Sequence, residues 1–159
     1  MTDRNTATTA LVLLAAATGA RSMLGLAATT RALETHAHAP GESRSTRLLR
    51  GDGVRLALTT CAALELVADK LPFIPDRTDP APLVGRAVAG ALIGAAVSDL
   101  IHRNRTTGAL VGAATAIGAA YATFHIRQAL MDALPPVTAA LVEDTMMVGI
   151  ASAGAAMLD

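Results

Sequence analysis

Glu65, Asp69, Lys70 and Arg77 stand together in the stretch ELVADKLPFIPDRT, at the end of a long apolar run. Arg86 opens the next apolar run, Arg127 closes another, and Glu143 with Asp144 interrupts a further one at ALVEDTMM. Ionisable groups in such surroundings are costly, so they face a protein interior or a wet cavity, and pair there. Glu65 and Asp69 are four apart and share a helix face. That pair suits cation binding or a proton relay, with Arg86 and Arg127 balancing charge or holding an anionic group. The eight residues form the candidate substrate- or ion-binding set. The competing reading is a buried ion-pair arrangement that fixes helix order. Arg21, deep in the first apolar run, and Asp99, near the far end of the third, form a candidate gate at the opposite mouth. The plain alternative for Arg21 is snorkelling toward the far interface.

Other chemistries find less support. There is no nucleophile motif, no Asp-rich metal motif and no catalytic histidine in a span, so no catalytic residue and no cofactor is expected. His36 and His38 have ligand chemistry, but they lie in the polar loop ETHAHAPGESRSTRLLRGD with no further ligands, so no metal site is expected. His125 reads as an interfacial residue. Cys61 is the only cysteine, which excludes an intrachain disulfide and reads as a small buried residue. Net charge is zero and no basic run is interleaved with aromatics, so nucleic acid is not an expected partner.

Five apolar segments must position these groups: residues 6–33, 54–71, 83–101, 106–130 and 137–158. Each approaches the ~20 residues that cross a ~30 Å hydrocarbon core. None alternates strictly, so strands are not expected. The chain is 52% hydrophobic and 16% charged, with no Trp, against roughly 25% charged in soluble domains. The expected fold is all-α: one integral membrane domain, residues 1–159, a polytopic bundle of about five transmembrane helices. A polar loop at 34–53 and a proline-rich loop at 71–82 connect them. A soluble bundle, and a signal peptide over residues 1–20, are the weaker readings; the apolar pattern continues to Leu33, past any cleavage-like site.

Five crossings place the two chain ends on opposite sides. Glu65, Asp69, Lys70, Arg86, Arg127, Glu143 and Asp144 then converge at one depth, beside LPFIPDRT. Seven basic residues on the C-terminal side against five on the other favour a cytoplasmic C-terminus. TALVLLAAATG (9–19) echoes GALVGAATAIG (108–118), and the two runs would be oppositely directed, giving a degenerate inverted repeat of the kind found in transporters. Gly90-x-x-x-Gly94 and Gly108-x-x-x-Gly112 offer close-packing faces. The expected partners are the lipid bilayer and, through such faces, further copies of the chain.

ATGARSMLG, ELVADKLPFIPDRT, GRAVAGALIGAA, GALVGAATAIGAAYATFHIR and ALVEDTMMVGIA, in that order, resemble a family of bacterial membrane proteins known as domain of unknown function 4126. The resemblance implies a small polytopic helical protein of a bacterial inner membrane, with no established activity. It falls on Arg21, Glu65, Asp69, Lys70, Pro72, Pro75, Arg77, Arg86, Arg127, Glu143 and Asp144. The function expected first is transporter- or channel-like. The alternatives are a membrane enzyme acting on a lipid or phosphate-bearing substrate, and a non-catalytic scaffold.

Overall fold

Helix boundaries follow local chemistry at several ends. The computed structural model describes residues 3–36, 41–68 and 79–158. Among them are seven helices and no strands: α1 Arg4–Ala20, α2 Leu24–Glu34, α3 Arg44–Leu49, α4 Asp52–Ala68, α5 Pro80–Leu100, α6 Arg105–Ala133 and α7 Pro136–Ala156. Proline occupies the first turn of α5 and α7, where its missing N–H has no intrahelical acceptor anyway. Ser43 Oγ accepts from Thr46 N at 3.1 Å and Asn104 Oδ1 from Thr107 N at 3.1 Å, capping α3 and α6. α5 ends in a Schellman-type turn, with Arg103 N donating to Ser98 O at 2.8 Å and His102 at φ 50°.

The expectation of one continuous first span is overturned. The helix stops at Ala20, and Arg21 adopts an extended conformation, φ −133° and ψ 105°. The chain then doubles back. Gly154 of α7 packs on Ala10, Leu13 and Leu14, while Asp144 of α7 reaches Arg21, so α1 and α7 are antiparallel. Glu34 of α2 pairs with Arg55 of α4, and Met23 bonds Glu65, so α2 and α4 are antiparallel too. α4 leads to one end of the bundle, α5 returns, α6 leads out again and α7 returns. α1 and α2 therefore form a hairpin with its tip at residues 21–23, and both its outer ends face the same way.

Three expectations change with that turn. The start of α1 and the end of α7 lie on the same side, not opposite ones. α1 and α6 run parallel, so the 9–19 and 108–118 echo is not an inverted pair. The 34–53 stretch holds α3, so it is not wholly loop. The count of five spans is not confirmed. Among the described residues three helices, α5, α6 and α7, are long and apolar enough to cross a membrane, with 21, 29 and 21 residues. α1 and α4 have 17 residues each.

Small residues set the interhelical distances. A Cβ on Gly94 would overlap Gly108 O, and one on Gly112 would overlap Gly90 O. The two small-residue faces read from the sequence thus meet each other inside the chain, bringing the α5 and α6 backbones into contact. Gly19 seats in the same way on Ala116 and Ala120 of α6. The apolar core lies between α1, α2 and α5, around Leu11, Leu14, Leu26, Leu33, Ile93 and Val97. Elsewhere large apolar side chains point outward: Leu56 is 69% exposed and Leu110 67%. Cys61 is exposed, not buried, because α4 turns that face away from the bundle.

Candidate functional site

The break between α1 and α2 leaves backbone amides without helical partners in the interior, where each needs an acceptor. No nearby side chain of the hairpin supplies one. Glu65, on α4, does: its Oε1 accepts from Ser22 N at 2.7 Å and its Oε2 from Met23 N at 2.9 Å. A carboxylate at the N-terminus of α2 also meets the positive end of that helix dipole. Glu65 thus serves as an N-terminal cap donated from 42 residues away.

Arg21 leaves the same tip in the opposite direction. It is 1% exposed. Its Nε donates to Asp144 Oδ1 at 2.9 Å, and its Nη2 makes a short contact with the same oxygen. Glu143 Oε2 stands 4.0 Å from Arg21 Nη2 and accepts from Arg127 Nη1 at 3.5 Å. Both acids are buried, Glu143 at 2% and Asp144 at 8% exposure. They sit two turns into α7, about 12 Å along its axis from Pro136. One network therefore links the hairpin tip, α6 and α7. Arg86 is buried on α5, one turn before the Gly90 contact with α6.

The sequence-derived set is thus partly assembled. Arg127, Glu143 and Asp144 meet, and Arg21 joins them. Glu65 lies at the same tip, but holds amides rather than a cation. Asp69, Lys70 and Arg77, with residues 71–78 of the proline-rich loop, lie outside the described residues; the loop's expected end at residue 82 is corrected, since α5 begins at Pro80. The Arg21–Asp99 gate is not formed. The reversal at residue 21 sends the arginine toward α7, whereas Asp99 serves the far end of the molecule. There Asp99 accepts from Ser43 N at 3.0 Å and Thr46 Oγ1 at 2.5 Å, and pairs with Arg105. Arg50 completes that end by pairing with Glu42 at 2.8 Å and donating to His36 O and Leu33 O. Among the described residues no group of three His, Cys, Asp or Glu could hold a metal.

Sequence reasoning missed the bond that organises the site, Arg21 to Asp144, because the residues are 123 apart. A single charge inside an apolar run was the available signal; its partner was not legible from spacing.

The site has two chemical capacities. Glu65 can exchange its amide partners for a proton or a cation, and the tip arginine can exchange carboxylate partners for another anion. A buried, charge-bearing helix break within apolar helices defines a class: all-helical, with helices compatible with a membrane. Within that class the chain belongs to the family described as Domain of unknown function (DUF4126), whose model matches residues 8–157. No curated protein matches it. No solved structure matches it either.

Proposed function

We propose that this chain is an integral membrane protein of transporter- or channel-like type, with its working site at the tip of the α1–α2 hairpin. α4 to α7 cross the bilayer and the hairpin enters from one side only. The observation that carries the reading is the helix break itself, whose two amides are held by a removable carboxylate, Glu65. Broken helices at membrane depth are where transporters expose amides and carbonyls to substrate. Protonating Glu65, or neutralising it with a cation, weakens both amide bonds and releases the tip. Arg21, Arg86 and Arg127 supply positive charge for an anionic substrate group; Glu143 and Asp144 hold Arg21 when that group is absent. Asp69, Lys70 and Arg77 belong to the proposed site by sequence alone.

Orientation follows from the hairpin. Among the described residues, Arg4, Arg31, Arg44, Arg47, Arg50, Arg55, Arg103 and Arg105 lie toward the side of the two chain ends, against Arg21, Arg86 and Arg127 toward the other. That bias supports placing the chain ends on the cytoplasmic face of a bacterial inner membrane.

The test is flux in proteoliposomes under imposed proton and ion gradients, comparing wild type with Glu65→Gln, Asp69→Asn and Asp144→Asn. Gradient-dependent flux altered by Glu65→Gln supports the proposal. Equal background leak in all four sinks it. A second reading has its own support: Arg21 and Asp144 are buried and bonded to each other, as in an ion-pair lock that only fixes packing. In that case the substitutions lower stability and leave flux at background.

A further inference from the structure

A groove of about 1100 Å³ runs along α2, between α4 and α7. Its walls are apolar along most of its length, from Leu24, Ala28 and Leu56 to Val148 and Ala155. Its mouth, toward the chain-end side, carries Arg31, Glu34, Asp52 and Arg55. From Leu24 to Thr35 the groove follows α2 for about 16 Å, half of a ~30 Å hydrocarbon core and so the depth of one leaflet. A charged mouth and an apolar trough of one-leaflet depth have the polarity and length of a single lipid.

The charges narrow the class. Arg55 pairs with both Glu34 and Asp52, which leaves that trio with one net negative charge. Arg31 is exposed and makes no ion pair with any described residue. The mouth therefore presents one uncompensated cation beside one uncompensated anionic group. We propose that the groove binds one glycerophospholipid with a zwitterionic, primary-amine headgroup: the phosphate on Arg31, the ammonium against Glu34 and Asp52, and an acyl chain along α2. Arg31 reads phosphate as a fork of donors. A primary ammonium donates hydrogen bonds to the carboxylates, which a quaternary one lacks.

The proposal rests on the membrane placement given above, and the test separates the two. Thermal unfolding of the full chain in mixed micelles is followed with added phosphatidylethanolamine, phosphatidylglycerol or phosphatidylcholine. Phosphatidylethanolamine is expected to raise the midpoint by about 3 °C more than the other two. Arg31→Gln, at an exposed position, abolishes that preference, and Ser152→Phe, which fills the groove, abolishes it as well. Arg44→Gln, an exposed arginine on the same side but away from the groove, leaves it intact. Equal shifts for all three lipids overturn the proposal, as does a preference that survives Arg31→Gln. So does a dimer whose cross-links run through the groove and exclude lipid. Retention of the chain in membranes through a carbonate wash with no lipid preference overturns the groove site alone. Release by the wash overturns the membrane reading with it.

Discussion

Arg21 and Asp144 show what one buried charge demands of its surroundings. Removing either partner strips the other of its closest counter-charge in a buried network, at a cost of up to about 3–5 kcal/mol. Asp144→Leu should therefore lower the unfolding midpoint in detergent sharply. Arg21→Met combined with Asp144→Leu should recover much of the loss, since the two opposite charges then leave the network together. A double variant as unstable as the worse single would refute this account of the pair. Glu65 acts differently, because its partners are amides. Glu65→Ala should expose the amides of residues 22 and 23 to rapid hydrogen exchange, while Glu65→Gln, keeping one acceptor oxygen, should protect one of them. Uniform protection in all three proteins would mean that the tip is held by something other than this carboxylate. The charged positions were readable because apolar runs make each one conspicuous. Their pairing was not, because spacing within a helix says nothing about which helix faces it.

Among the helices, close approach and turn geometry decide stability. Gly94→Ala should separate α5 from α6 and destabilise the fold, since the new methyl would meet the Gly108 carbonyl. Gly118 lies on the outward face of α6, with open space around it, so Gly118→Ala makes no new contact. It should be neutral or stabilising by up to about 1 kcal/mol, the propensity difference alone. Comparable losses from both would remove the packing argument. His102→Gly should also stabilise, because the α5 turn holds a side-chain-bearing residue at positive φ. The helical character of these segments was legible in the sequence. So was the capacity of Gly90, Gly94, Gly108 and Gly112 for close packing. The break at Arg21 was not, because nothing in AATGARSMLG contains proline or a capping motif; tertiary bonds from α4 and α7 stabilise the interruption.

For the molecule as a whole, the reversal of α1 into α2 fixes which ends share a compartment. Single cysteines at Asn5 and Ala156, in a Cys61→Ala background, should react with a membrane-impermeant maleimide from the same side. Labelling from opposite sides would restore five crossings and remove the hairpin. Composition had indicated helices suited to a bilayer, and α5, α6 and α7 satisfy that length and polarity. It could not reveal a segment that enters and returns, since an apolar run of 28 residues carries the same hydropathy folded or straight.

The same ion pair has a consequence for biogenesis. Arg21 leaves the ribosome 123 residues before its carboxylate partner, a delay of roughly 6–25 s at ordinary elongation rates. For that interval the arginine has no acid on α7 to meet, so in the proposed membrane placement the hairpin is expected to wait at the interface while α4 to α7 are laid down. The first thirty residues of the chain are then the last to reach their final depth. A nascent chain arrested before Pro136 should leave a cysteine at Ser22 open to aqueous reagents, and one arrested beyond Asp159 should close it.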